Sequence, residues 1–202
     1  MQLILPELDS PATLVLDRKN RLSDDEYFDF CMANPDVRIE RTAEGEIVIV
    51  PAAGGESDYR NTDVTSQLRQ WSKMDRRGRA FGCRLQFILP DGSSLSPDAV
   101  WVSNEHIATL TKEQLRRFLP VVPEFVVEVM SPSDRLRAAQ RKMRQWMDNG
   151  VEFGWLIDGD NQCVYVYRKG SEVQQVSGVT EIAGEGPVEG FVLDLTEIWE
   201  GL

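Results

Sequence analysis

Apolar positions along the chain recur at two spacings, one typical of strands and one of helices. Ser23-Asp-Asp-Glu26 has the form of a capping box, in which the Ser23 side chain accepts from the Glu26 amide and the Glu26 carboxylate reaches back. It predicts a helix running to about Met32. Residues 37–42 and 46–50 alternate in strand fashion about Gly45 and predict a hairpin. Residues 51–55 read as a loop. Over residues 57–77, Val64, Leu68, Trp71 and Met74 return at helical spacing, predicting a long helix stopped by Gly78. Residues 84–89 and 98–102 read as strands joined by the turn Pro90-Asp91-Gly92-Ser93. Thr111-Lys-Glu-Gln114 is a second capping box that opens a short helix, and Pro120 and Pro123 close that region. Residues 124–130 form the most apolar strand apart from its glutamates. Leu136, Ala139, Met143, Trp146 and Met147 make one stripe of a helix over 134–149, ended by Asn149-Gly150. Residues 151–158 and 162–168 predict a hairpin across Gly159-Asp160-Asn161, and 171–195 strands and turns. Strands alternate with helices while hairpins are frequent. The expected fold is α/β, a mixed central sheet flanked by helices rather than a doubly wound parallel one.

A chain of 202 residues fits one domain, taken as 1–202. Its hydrophobic share of 42% and charged share of 27% exclude collagen and bulk disorder. No apolar run approaches the roughly 20 residues that span a bilayer, so no membrane partner is expected. The first residues lack the basic lead and long apolar core of a signal peptide. Three widely spaced cysteines, Cys31, Cys83 and Cys163, suit a reducing cytoplasm. With His106 the single histidine, a His-rich zinc site or a serine–histidine hydrolase is not expected.

The net charge of -11 argues, taken whole, against a nucleic-acid binder. The distribution changes that picture. Residues 1–58 carry 13 acids and 5 bases, residues 59–169 carry 13 acids and 17 bases, and residues 170–202 carry 7 acids and no Lys or Arg. Fields act within a Debye length of roughly 10 Å, so a basic centre can present a positive cleft between acidic ends, or it can be a set of solvated helix faces.

Two carboxylates stand in unusual positions. Asp98 opens a strand after Pro97, and Glu128 lies mid-strand on the same face as Val126 and Met130. Burying a carboxylate is costly unless it is paired, protonated or metal-bound. Two acids at neighbouring strand ends suit a hard cation such as Mg²⁺. They equally suit a strand-end aspartate and an arginine-paired glutamate. Lys142 lies at the edge of the apolar helix stripe beside Trp146, with Arg137, Arg141 and Arg144 on the far side. A border lysine either snorkels to the surface or sends its ammonium to the sheet.

These residues carry a resemblance. Ser96-Pro97-Asp98-Ala-Val-Trp-Val, then Pro123-Glu-Phe-Val-Val-Glu128-Val-Met-Ser131, then Lys142-Met-Arg-Gln-Trp-Met-Asp-Asn-Gly150 through Asp158 resemble the Uma-two family. This is a bacterial group described as restriction endonucleases with the PD-(D/E)XK nuclease fold. The match is dense over 96–158 and looser through Arg38-Ile-Glu40 and Asn61. It implies that Asp98 and Glu128 bind Mg²⁺ (or Mn²⁺), with Glu40 supporting the metal shell and the Val129 carbonyl as a further ligand. The superfamily's lysine position, two residues after the second acid, holds Met130 here, and Lys142 is the matching migrated lysine. Ser131 matches a family serine that caps a helix or touches phosphate. Many relatives have a histidine near Asn61, which this chain lacks. The implied activity is metal-dependent hydrolysis of DNA phosphodiesters, with a homodimer able to cut two strands. The competing readings are a non-catalytic interaction protein that keeps the fold, and a nuclease acting on RNA or single strands.

The five tryptophans read as core or interface, and His106 as structural or solvated on a loop or helix start. Arg76-Arg77-Gly78-Arg79 reads as a phosphate contact or a frayed helix end, and Cys83 as a buried thiol.

Overall fold

The computed structural model describes residues 12–14, 21–50 and 54–202. Residues 1–11, 15–20 and 51–53, the last of these in the expected loop, lie outside that set. In chain order the strands and helices are β1 (Ala12–Leu14), α1 (Asp24–Met32), β2 (Arg38–Arg41), β3 (Ile47–Val50), α2 (Gly55–Asp75), β4 (Gly78–Gly82), β5 (Phe87–Ile88), β6 (Ser94–Leu95), β7 (Ala99–Ser103), α3 (Asn104–Ala108), β8 (Phe125–Val129), α4 (Leu136–Asp148), β9 (Phe153–Asp158), β10 (Cys163–Arg168), β11 (Gln174–Ser177), β12 (Glu181–Ala183), β13 (Val192–Asp194) and α5 (Thr196–Glu200).

A six-stranded mixed sheet has the order β11-β10-β9-β8-β7-β4, with β8 and β9 parallel and the other pairs antiparallel. A parallel pair needs a crossover, and α4 supplies it between β8 and β9. The helix therefore lies on one face of the sheet, where Met143 and Trp146 pack with Phe87, Val100, Val126 and Leu156. On the opposite face, Val64 and Leu68 of α2 and Phe191, Leu193 and Ile198 of the C-terminal segment cover Trp101, Phe125 and Trp155. Because both faces are covered, β8 and β9 are buried along their whole length, which explains their apolar runs, interrupted by charge only at Glu128 and Asp158. A second antiparallel sheet, β1-β3-β2-β6-β5, is backed by Tyr27 and Phe30 of α1. β12 and β13 form a separate pair.

The mixed α/β architecture expected from the sequence is present, as are both hairpins and the Ser23–Glu26 capping box. Four local readings need correction. The strand expected over 84–89 shrinks to β5 and pairs with β6, so the turn at 90–93 joins two short strands of the second sheet and not β5 to β7. The long helix begins at Gly55 and ends at Arg76, which takes the left-handed conformation at φ 65°; Gly78 instead begins β4. The run Arg76–Arg79 is thus a helix cap leading into an edge strand, whose first residue, Gly78, pairs with Ser103. At Thr111 the reciprocal Gln114 bonds form, but they open a single 3₁₀ turn at Gln114–Arg116.

Candidate active site

β7 runs antiparallel to β8, so the start of one lies beside the end of the other. Asp98 thereby sits next to Glu128. The Asp98 amide donates to the Val127 carbonyl (3.0 Å), and Asp98 Oδ2 accepts from the Val129 amide (2.8 Å). Glu40 arrives from β2 in the other sheet. The two sheets meet at Ser96, whose amide donates to Glu40 Oε1 (3.2 Å) and whose hydroxyl donates to the Cys83 carbonyl. Lys142 reaches in from α4. Its Nζ donates to the Ser96 carbonyl (2.8 Å) and Glu128 Oε2 (3.0 Å), and it pairs with Glu40 Oε1 at 2.9 Å. Three N–H donors meet three acceptors, so the ammonium is held without slack. The structure therefore brings Glu40, Asp98, Glu128 and Lys142 into one cluster.

Two members were not anticipated from sequence. Arg38 Nη1 donates to Asp98 Oδ1 (3.2 Å) and Nη2 to the Ser96 carbonyl (2.7 Å), while Nη2 stands 3.7 Å from Glu40 Oε1. Trp146 Nε1 donates to Glu128 Oε1 (2.8 Å). Both had a signal. Arg38 lies two residues before Glu40 on one strand face, and Trp146 lies one helical turn after Lys142.

The carboxylates are buried, while the side chains of Lys142 and Arg38 keep 22% and 30% of their exposure. The cations therefore form the solvent-facing rim of an acidic floor. Burial, reinforced by the Asp98 and Glu40 carboxylates, lifts Glu128 to about 7 against the pull of Lys142 and Arg38. Burial also acts to raise Glu40, but Lys142 and Arg38 outweigh it and hold that group below the usual carboxylate range. Desolvation works against the charge on Lys142 and on Arg38. The acids around each outweigh that cost and push both pKa values up.

Among the described residues, no group of three or more His, Cys, Asp or Glu side chains is arranged to enclose a metal ion. Two cations are interleaved with the three carboxylates instead. The donor chemistry nevertheless suits a hard divalent ion. All the side-chain donors are oxygens, three acids face two bases, and burial, with the neighbouring carboxylates, raises Glu128.

Other candidates fall elsewhere. Ser131 does not cap α4. Its amide and hydroxyl donate to Asp134 Oδ2 (both 2.8 Å), and the residue preceding the helix, Arg135, provides no side-chain cap. His106, in α3, sets Nδ1 3.1 Å from both the Val122 carbonyl and Glu124 Oε1. Cys83 is half-buried rather than buried. Asn61, on α2, has a buried Oδ1 with no hydrogen-bond partner among the described residues. Trp101, Trp146 and Trp155 are core residues, and Trp71 and Trp199 pack at the margin of the core.

Comparison with known proteins bears on the fold and the family. The chain is similar to the crystal structure of a putative nuclease belonging to DUF820 from Anabaena variabilis. The TM-score is 0.72 at 21% identity, over 89% of this chain and 98% of that one. That likeness shows a shared fold. No curated protein matches the chain. The profile of the Uma2 family, described as "Putative restriction endonuclease", matches residues 24–196. With that profile spanning all the helices but the last and the whole acidic cluster, the chain belongs to the Uma2 restriction-endonuclease family.

Proposed function

We propose that the protein is a divalent-metal-dependent endonuclease that hydrolyses DNA phosphodiester bonds. The observation that carries this reading is the meeting of Glu40 and Glu128 on the ammonium of Lys142, with Asp98 beside Glu128 at the neighbouring strand end and paired to Arg38. Asp98, Glu128 and Glu40, with the Val129 carbonyl, would hold Mg²⁺ or Mn²⁺, and the ion supplies Lewis acidity toward phosphate and water. The chain's own residues do the rest. Lys142 Nζ, fixed between Glu40, Glu128 and Ser96, is placed to orient a water and to neutralise charge that builds on the phosphate. Arg38, on the exposed rim, offers a second cation to the same phosphate once it leaves Asp98. Trp146 fixes Glu128 Oε1, and with Lys142 Nζ 3.0 Å from both carboxylate oxygens it holds the Glu128 carboxylate in one orientation.

The finer parts of the reading belong to the same proposal. They are DNA rather than RNA, a homodimer cutting two strands, and a cytoplasmic setting that suits three free cysteines. Among the described residues, no helix is long and apolar enough to cross a membrane. The competing reading, an interaction protein whose ion cluster only stabilises the fold, draws on Arg38 and Lys142 already neutralising the acids. Plasmid nicking decides between them. Wild-type protein should nick supercoiled DNA with Mg²⁺ or Mn²⁺ and lose that activity in EDTA, and Glu128→Gln should be inactive at equal protein concentration. Absence of nicking with either ion, or equal nicking by the variant, overturns the proposal.

A further inference from the structure

We infer that the exposed face of α4 is a nucleic-acid backbone track that leads the substrate strand to the site. The inference rests on the nuclease reading for the identity of the partner, but it stands on a separate surface. Within ten residues α4 and its preceding residue carry Arg135, Arg137, Arg141 and Arg144, all exposed. None of the four side chains forms an ion pair or hydrogen bond among the described residues. Elsewhere in the same molecule Arg41, Arg60, Arg77, Arg117 and Arg168 each pair with a carboxylate. In a chain of 33 acids and 22 bases, four exposed arginines within ten residues concentrate positive charge on one short helix. Asp134, the acid nearest the helix start, is itself taken up by Ser131.

Position turns this charge into a partner assignment. Arg137, Arg141 and Arg144 are spaced i, i+4, i+7 and share one helix face. They extend over about 10 Å, the axial reach of about three phosphates of one strand. Arg141 and Arg144 line one cleft with Thr42, two residues beyond Glu40 of the acidic cluster, so a strand lying along the arginines runs beside the site. Beyond Arg141 and Arg144 an open cleft of about 490 Å³ separates α4 from the β2–β3 turn. Glu44 and Asp91 stand across that cleft, while Asp148 ends α4 itself. This acidic margin repels phosphate and holds a strand on the helix side. The net charge of -11 does not oppose such a track, since phosphate contacts act within a Debye length. Arginine is the suited residue, because its fork meets phosphate oxygens in pairs.

The test is fluorescence anisotropy with a labelled DNA duplex in EDTA, where no cleavage interferes, over a salt series. Wild type should bind with an affinity that falls steeply with salt. Arg137→Gln/Arg141→Gln/Arg144→Gln should bind at least about tenfold more weakly at low salt. Its log–log salt slope should shrink by about 2–3, because each phosphate that an arginine neutralises releases about one counterion. Its thermal midpoint and its Mn²⁺ affinity by calorimetry should match wild type, since none of these side chains touches the cluster. A triple Lys variant should recover most of the slope. Unchanged affinity and slope in the Gln variant, or no DNA binding by wild type, overturns the inference. Arginine-dependent binding without nicking by wild type would overturn the catalytic reading alone and leave the track standing.

Discussion

Glu128 is the residue at which the competing readings give opposite results. Its folded pKa, about 7, lies above its ordinary value near 4.5. A group shifted upward adds stability below its unfolded pKa, and that stability is lost as pH rises through the folded pKa. The metal-free protein should therefore lose stability between about pH 5 and pH 8. Glu128→Gln should remove that slope, melting at or above wild type at pH 8 in EDTA while being inactive in nicking. A variant that is instead destabilised by about 3–5 kcal/mol at pH 8 would identify a buried structural ion pair. Lys142 gives a second prediction at this scale. Lys142→Ala should lower the cleavage rate by orders of magnitude, because removing charge stabilisation from a transition state costs about 3 kcal/mol. Met130 shares the strand face of Glu128 and lies against the same cluster as Trp146. Adding Met130→Lys to Lys142→Ala should restore part of the rate but not all of it, since a misplacement of about 1 Å costs about a hundredfold. Single-turnover rates of both variants and of Met130→Lys alone provide the check, and wild-type cleavage by Lys142→Ala would make Lys142 a border lysine only.

At the scale of elements, the junction from α2 to β4 fixes how the long helix leans on the sheet. Arg76 ends α2 at φ 65°, a left-handed conformation that costs a side-chain-bearing residue about 1 kcal/mol. Its carbonyl accepts from the Asn104 side chain at 2.6 Å, tying the turn to α3. Arg76→Gly keeps that carbonyl and removes the strain, so urea titration should show it more stable by up to about 1 kcal/mol. Two residues on, a larger side chain has the opposite effect. A Cβ at Gly78 would collide with the Trp101 ring and the Val102 carbonyl. Gly78→Ala must therefore push β4 off β7, and it should be destabilised by at least about 1–3 kcal/mol, as overpacking usually is. A midpoint equal to wild type would show that β4 tolerates displacement. Helix α4 works differently. Its sheet-facing side is held by Met143 and Trp146, so Lys142 is aimed by packing, and its outer arginines remain unengaged.

For the whole molecule, the six-stranded sheet separates two kinds of work. The α4 side carries the acidic cluster, and the α2 side is closed by the C-terminal segment. There Phe191 stacks on Trp155 with ring centroids 5.8 Å apart and contacts Trp71 at 5.5 Å. Arg60, buried in α2, bonds the Ile198 carbonyl (3.0 Å), Asp160 and Glu56, and so ties the last helix and the β9–β10 turn to α2. Phe191→Ala should cost about 3–5 kcal/mol of global stability. Well below its melting temperature it should leave the nicking rate within about twofold of wild type, because the rings it packs on (Trp71, Phe125 and Trp155) stand outside the cluster. A rate loss larger than the population of unfolded protein explains would show that the two faces are coupled through the sheet.

Elements with local signals were legible from the amino acids alone. The Ser23–Glu26 box, the hairpin about Gly45, the apolar run of β8, the stripe of α4 and the turn at Gly159–Asn161 each depend on a few neighbouring side chains, and all appear in the structure. Glu128 stood out as a charge among apolar residues, Asp98 as an acid opening a strand after Pro97 and Lys142 at the edge of an apolar stripe, whereas Glu40 came only from the resemblance to the family. Which strands meet was settled only by the folded arrangement. β4 hid within a basic run because an edge strand needs little hydrophobic alternation. β5 and β6 are two residues each, too short for a periodic signal, and only long-range pairing places them in the second sheet beside β2. That pairing carries Glu40 and Arg38 from residues 38–40 to Ser96 and Asp98, about sixty positions along the chain. Whether Arg38 is solvated or bonded to Asp98 is set by this meeting of two sheets, which no local pattern encodes, because hydrogen bonding between distant strands depends on where the chain returns and not on its neighbours.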